Sequence, residues 1–347
     1  MSKTSNWIIK KSKVIRKMMK YRDRIKKGEY ALQLMELNYD NTCNFVCEHC
    51  FSRDLTDDKR DKMTLENLKS LADQSHELGV WQWHLQGGEV LVWKNLDEII
   101  KAIGADRFHI MITTNGYLMT EARAKELAQM GIDKITVSLD SIEDKEHDAF
   151  RKMDGSFEKV LEALVHAKNA GMQVNVNTVV TKQNIYGNGL LKIVDYCKEN
   201  DYSLMFVIAT SSGFWAGKTD MLVDIEGTKY LEELRQKYSF IHRDIHHVFD
   251  DLPHGCRTMN GLVYVTENGD LLSCPFIHIA IGNIKEEPLE TILKRGWRVR
   301  KFRDHTTACL AGQDLDFIKN KMSKTIGKKG PVLFNEAFIE DDLYPEE

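Results

Sequence analysis

From Ala31 to about residue 210 the chain alternates short apolar runs with amphipathic segments, the pattern of repeated βα units around a parallel sheet. The apolar runs predict strands near 31–38, 81–86, 109–113, 134–139, 173–180 and 203–208. Helical spacing predicts helices near 64–78, 95–103, 120–130, 156–170 and 189–199, with Leu65, Leu68, Leu71, Ala72 and Leu78 sharing one face of the first. Gly79, Gly131 and Gly171 each follow a last helical residue, where a left-handed cap is expected. Six units fall short of the eight that close a TIM barrel. The expected fold is therefore α/β, a (βα)6 partial TIM-like barrel with its chemistry at the C-terminal strand ends. The segments starting at Asn41, Gly87, Thr114, Asp140 and Thr181 then surround one mouth.

Beyond about residue 210 the rhythm stops. A helix is expected near 225–238, and residues 262–265 and 270–273 flank Glu267-Asn268-Gly269, a strong hairpin signal. The expected organisation is a basic N-terminal helix (1–30), the barrel (31–240), a small hairpin-and-helix domain (241–325) and an acidic tail (326–347). The tail carries Glu336, Glu340, Asp341, Asp342, Glu346 and Glu347 and reads as solvated or loosely docked.

Composition changes this picture little: 347 residues with 42% hydrophobic and 29% charged positions is ordinary for a globular chain. No run approaches the ~18 apolar residues of a membrane span, so a cytoplasmic location is expected. There the seven cysteines would stay reduced, and their odd number points away from disulfides and towards metal or cluster ligation. Charge adds an asymmetry. Although the net charge is -4, residues 1–30 hold eleven Lys/Arg against Asp23 and Glu29, so a uniform nucleic-acid-binding surface is not expected. Ile8, Ile15, Met18 and Ile25 lie among Lys10, Lys11, Lys13, Arg16, Lys17 and Lys20, a surface helix covering the barrel. Weak membrane contact or an acidic partner is its alternative role.

The candidate chemistry begins at Thr42-Cys43-Asn44-Phe45-Val46-Cys47-Glu48-His49-Cys50, directly after the first predicted strand. Three thiolates on one loop suit three irons of a cubane with the fourth left open, or a zinc site closed from elsewhere. The C-x3-C-x2-C spacing of Cys43, Cys47 and Cys50 resembles the signature of the radical S-adenosylmethionine (SAM) superfamily. The resemblance implies a [4Fe-4S] cluster whose open iron binds the amino and carboxylate groups of SAM. It also implies a flavodoxin- or ferredoxin-type electron donor, and reductive cleavage of SAM to a 5′-deoxyadenosyl radical that abstracts hydrogen from substrate. His49 stands where the family has an aromatic and is then placed beside the adenine. Gln86-Gly87-Gly88-Glu89-Val90 resembles the G-G-E-P motif that binds the methionyl amine, with Val90 in place of proline. Thr114, Asn115, Ser138, Asp140 and Asn177, at the ends of the third to fifth strands, resemble further cofactor positions. Ser138 and Asp140 suit ribose hydroxyls or the SAM carboxylate.

Cys256, Cys274 and Cys309, with Ile281-Gly282-Asn283-Ile284, resemble the twitch form of the SPASM auxiliary-cluster domain. This implies a second, auxiliary [4Fe-4S] cluster short of one thiolate, completed by His305, Asp304 or Asp314 or left open. Ordinary buried thiols are the plain alternative. Cys197 reads as a helix core residue or a hydrogen donor; His242, His246 and His247 read as solvated or packing groups. Trp81 and Trp83 belong to the core, and Phe214 and Trp215 are candidates for substrate contact. The resemblance implies maturation of a peptide by oxidation, crosslinking or epimerisation. A dehydrogenase or epimerase of a small polar molecule, such as a sugar or aminocyclitol, is the alternative. A non-catalytic iron–sulfur or zinc scaffold is the reading from another class.

Overall fold

The computed structural model describes residues 11–243, 249, 251, 252, 254–304 and 306–346. Ile8, Lys10, His246, His247 and His305 lie outside the described residues. The chain opens with α1 (Ser12–Lys26) and β1 (Leu34–Leu37). There follow α2 (Leu65–Glu77), β2 (Gln82–Leu85), α3 (Leu96–Ile103), β3 (His109–Thr114), α4 (Glu121–Met130) and β4 (Lys134–Ser138). Next come α5 (Asp144–Arg151), α6 (Ser156–Asn169), β5 (Gln173–Val180), α7 (Asn188–Glu199), β6 (Ser203–Ile208), α8 (Ile225–Lys237) and β7 (Ile241–Arg243). The expected strands and helices are present, and α5 and β7 are additions. Gly79, Gly131 and Gly171 have φ of 88°, 94° and 83°, the left-handed caps anticipated.

Strands β1 to β7 run parallel in sequence order, the curved (βα) sheet expected. The sheet does not stop at β1. The hairpin of β8 (Leu262–Val265) and β9 (Asp270–Leu272) lies beside it, β8 parallel to β1 with Leu34 opposite Leu262. β10 (Ile279–Asn283) and a two-residue β11 (Val332–Leu333) complete eleven strands in one sheet. The cysteine-bearing hairpin is thereby hydrogen-bonded to the strand that leads into the first cysteine loop.

Side-chain alternation explains the layers. Met35, Leu37, Trp83, Leu85, Ile110, Ile112, Ile135 and Val137 are buried in one core with Leu68, Leu71, Ile99 and Leu127 of the helices. The intervening positions Glu36, His84, Thr113, Thr136, Ser138, Asn175 and Asn177 are polar. The interior of a closed TIM barrel is packed with branched apolar side chains, whereas this polar inner face borders a cavity.

The basic helix works from below. Val14 and Tyr21 of α1 are buried with Trp81 and Leu252. Lys11 donates to the carbonyl oxygens of Phe108 (2.9 Å) and Gly131 (3.2 Å), and Lys17 to that of Val80 (3.1 Å). These carbonyls precede β3, β4 and β2, so the lysines satisfy acceptors at the N-terminal rim of the sheet. The acidic tail is docked, the second of the two readings its sequence allowed. Phe338 and Leu343 are buried, Leu343 bridges to Val299, and the Tyr344 amide donates to the Arg298 carbonyl at 2.7 Å. Apolar side chains between the acids decide its position. No helix among the described residues is long and apolar enough to cross a membrane.

Candidate functional site

Cys43, Cys47 and Cys50 line one wall of a cavity of about 190 Å3 at the C-terminal ends of the strands. Gln86, Gly87, Gly88, Glu89, Thr114, Asn115, Ser138 and Asn177 line the same cavity, so the sequence-predicted residues come together from four strand ends. The glycines are needed for contacts within the protein. A Cβ on Gly88 would stand 2.1 Å from the Thr42 carbonyl oxygen, and one on Gly87, at φ +132°, 2.2 Å from Asn38. The Glu89 amide donates to that same Thr42 oxygen at 2.8 Å, stitching the glycine turn to the cysteine loop.

Glu89 is buried and accepts from the Leu91 amide (2.9 Å), the Thr114 hydroxyl (2.7 Å) and the Asn115 amide (2.7 Å). Burial pushes its carboxyl above the usual range while these donors pull it back. Oε1 takes two of the three bonds and Oε2 one, which leaves an acceptor position on Oε2 for an ammonium. Thr114 and Asn115 therefore hold Glu89 in place. Asn115 also donates to Asn44 of the cysteine loop at 2.8 Å.

Asp140 departs from expectation. Its Oδ2 accepts from Arg151 Nε at 2.6 Å and its Oδ1 from the Val179 amide at 2.9 Å, so the carboxylate is committed to partners within the protein. Arg151, from the end of α5, lines the cavity in its place and bears electrostatically on Cys47. The reading missed Arg151; its signal, a lone Arg eleven residues after the Asp, means nothing until α5 forms. Burial raises the Cys47 thiol's pKa against the pull of Arg151, and burial pushes Cys43 up to about 12. His49 stacks on Phe150 with centroids 4.4 Å apart and planes at 12°, and tilts against Trp215. Burial first, then Arg151, lowers its pKa to about 3, so the imidazole is neutral.

Gln86, Asn177, Val207 and Phe276 border both this cavity and a second of about 730 Å3 within the barrel. Cys256, Cys274 and Cys309 line the second. Cys274 senses the charges of the other two, and burial holds its pKa well above the ordinary range. Asp304 accepts from the Tyr344 hydroxyl (2.7 Å), and Asp314 caps the helix 315–320 and pairs with Lys301. Neither of these proposed fourth ligands lines the cavity. The hairpin turn itself braces the first loop: Asn268 Oδ1 accepts from the Asp57 amide (3.0 Å), Glu267 from Thr56 (2.9 Å), and Asp270 binds Arg60 through both oxygens (2.6 and 2.7 Å). Cys197 is buried in the core on α7 and lines neither cavity. Trp81 and Trp83 are core residues, Trp215 reaches the first cavity, and Phe214 is exposed under Arg53.

Three thiols on one cavity, with desolvation disfavouring isolated thiolates at Cys43 and Cys47, fit a group that brings its own positive charge. Among the described residues no three His, Cys, Asp or Glu side chains converge as a single ion requires. A cubane makes no such demand, because iron and sulfide separate its ligands.

The comparisons define the class. Residues 37–186 match the Radical SAM superfamily and residues 256–312 the SPASM iron-sulfur cluster-binding domain. The chain carries a Radical SAM domain and a C-terminal SPASM domain; the cofactors of these domains are SAM, a [4Fe-4S] cluster and auxiliary iron–sulfur chemistry. An "AdoMet-dependent heme synthase" of Methanosarcina barkeri is 25% identical over 289 residues, covering 76% of this chain and 82% of that one. A "GTP 3′,8-cyclase" of Paracoccus denitrificans is 32% identical over 180 residues, about half of each chain (50% and 51%). Among solved structures, Streptococcus suis SuiB bound to precursor peptide SuiA has TM-score 0.62 at 18% identity, covering 79% of this chain and 68% of that one. AdoMet-bound anSMEcpe has TM-score 0.60 at 20% identity, covering 80% and 82%. These structures share the fold.

Proposed function

We propose that this radical SAM enzyme holds its catalytic [4Fe-4S] cluster on Cys43, Cys47 and Cys50 and acts on a small polar molecule in the barrel lumen. When bound, the cluster and SAM supply hydrogen-atom abstraction. The protein's part is orientation. Glu89 offers Oε2 to the SAM ammonium, Ser138 and Asn177 lie on the cavity wall for its other polar groups, and Arg151 faces its carboxylate. Cys256, Cys274 and Cys309 hold the auxiliary cluster on the far side of the lumen.

The observation that carries this reading is the shared border of the two cavities at Gln86, Asn177, Val207 and Phe276, which joins both cysteine sets to one chamber. Polar side chains such as His84, Lys134, Thr136, Asn175 and Asn177 stand on its wall among apolar ones, and these hydrogen-bonding groups favour the small polar substrate over the peptide. Glu36 Oε2 is buried without a hydrogen-bond partner, while Oε1 lies 3.0 Å from His84 Nδ1 and His84 Nε2 2.7 Å from the Thr113 hydroxyl. In oxidation of a substrate carbinol or amine, the hydrogen atom would go to the radical that SAM supplies, the proton to Glu36 Oε2, and the remaining electron to the auxiliary cluster that Cys256, Cys274 and Cys309 would hold.

Anaerobic reconstitution tests the two-cluster assignment. About eight irons per chain are expected, falling to about four in the variant with Cys256, Cys274 and Cys309 all changed to Ala. Wild-type protein that binds only about four irons, all retained by that variant, would remove the auxiliary site.

A further inference from the structure

Two cations on the lumen wall, Arg243 and Lys134, have no countercharge among the described residues. Arg243, at the end of β7, is 2% exposed, lines the larger cavity, and its Nε and Nη2 have no hydrogen-bond partner. Lys134, the first residue of β4, lines the same cavity and makes no side-chain hydrogen bond or ion pair among the described residues. Among the described lining residues Glu36 is the one carboxylate, and it is engaged with His84; of the other cations on the wall, Arg235 is paired with Glu232. Burying an uncompensated charge is costly, so a cavity walled by such groups is completed by what enters it. Burial alone lowers the Lys134 pKa to about 8, the direction expected of an ammonium awaiting a counter-charge.

Position makes the cations useful. Ser138 lines the cysteine cavity four residues along β4 from Lys134, about 13 Å at strand rise. A molecule of sugar-phosphate or nucleotide size spans that distance. Acceptors without a partner lie along the way: Thr136 Oγ1, Asn175 Oδ1 and Glu36 Oε2 are buried and unbonded. They match hydroxyl or amino groups on the part of the ligand nearer the cysteine cavity.

We propose that the lumen binds an anionic, hydroxyl- or amino-bearing small molecule, with Lys134 and Arg243 taking its phosphate or carboxylate groups. The assignment rests on the reading of the lumen as the substrate chamber and adds the charge of what occupies it. Charge-assisted hydrogen bonds give discrimination that the neutral analogue of the same ligand does not gain.

The test uses the reconstituted protein with its clusters, and measures binding of pyrophosphate and of citrate by calorimetric titration. The two probes distinguish a phosphate from a carboxylate ligand. Saturable binding of at least one is expected, weakened about tenfold or more in the double variant Lys134→Met with Arg243→Met. The charge-keeping double variant Lys134→Arg with Arg243→Lys retains binding, which guards against a folding defect. Iron content is read on every sample. Low iron with intact anion binding would count against the cluster assignment and leave this proposal standing. Absence of saturable binding of both probes to wild-type protein, or a Met double variant that binds like wild type, overturns it.

Discussion

Arg151 Nε lies 2.6 Å from Asp140 Oδ2 in a buried pair that stands between the ends of β4 and β5 and the cysteine loop. Burial raises the carboxyl's pKa, but Arg151 together with the Val179 amide and the neighbouring imidazoles outweighs it, and Asp140 stays below the usual carboxylate range. Arg151→Met leaves Asp140 buried without its countercharge and is expected to cost about 3–5 kcal/mol of stability. Adding Asp140→Asn should recover part of that loss. Denaturant titration of the two single variants and the double variant checks the coupling; additive losses would mean that the pair is not energetically joined.

Glu89→Gln keeps the size of the side chain and removes its charge. The variant should retain its iron and bind SAM about tenfold more weakly, the scale of one charge-assisted hydrogen bond. Equilibrium binding of SAM to the reconstituted protein measures it. Unchanged affinity would remove Glu89 from the SAM site.

Gly88→Ala puts a Cβ 2.1 Å from a backbone carbonyl, so the glycine turn and the cysteine loop cannot keep their present contact. Iron incorporation should fall well below that of wild type while the far side of the fold keeps its stability. Full incorporation would show that the contact is dispensable.

Lys134 gives a pH prediction. Its folded pKa is about 8 against 10.5 for the ordinary amine, so between those values the unfolded chain binds more protons than the folded one. Its penalty is fully present below pH 8 and fades as pH rises towards 10.5. Lys134→Met should therefore be more stable than wild type at pH 7, with the gap closing by about pH 10. Denaturation of both proteins across that range checks the sign; a constant gap would mean that Lys134 is not desolvated.

The regular part of the barrel was legible because its strands are apolar runs and its helices have clear buried stripes. Helix α5 escaped because its residues are mostly charged and its buried positions are His147 and Arg151. β7 has only three residues, too few for a periodic signal. The cysteines and Glu89 were readable as local spacing, whereas Arg151 depends on a tertiary pair. The tail was ambiguous because its acids outnumber Phe338 and Leu343, the residues that dock it. The polar lumen was written in Gln82-x-His84-x-Gln86 and Lys134-x-Thr136-x-Ser138, alternations whose inward direction appears only once the sheet curves.

The central claim is that Cys43, Cys47 and Cys50 carry the cluster that cleaves SAM. The most direct test is 5′-deoxyadenosine formation on reducing the reconstituted protein with dithionite in the presence of SAM. Wild-type protein should form it, and the variant with those three cysteines changed to Ala should not, while retaining the irons of the auxiliary site. Formation at the wild-type rate by that variant would contradict the account.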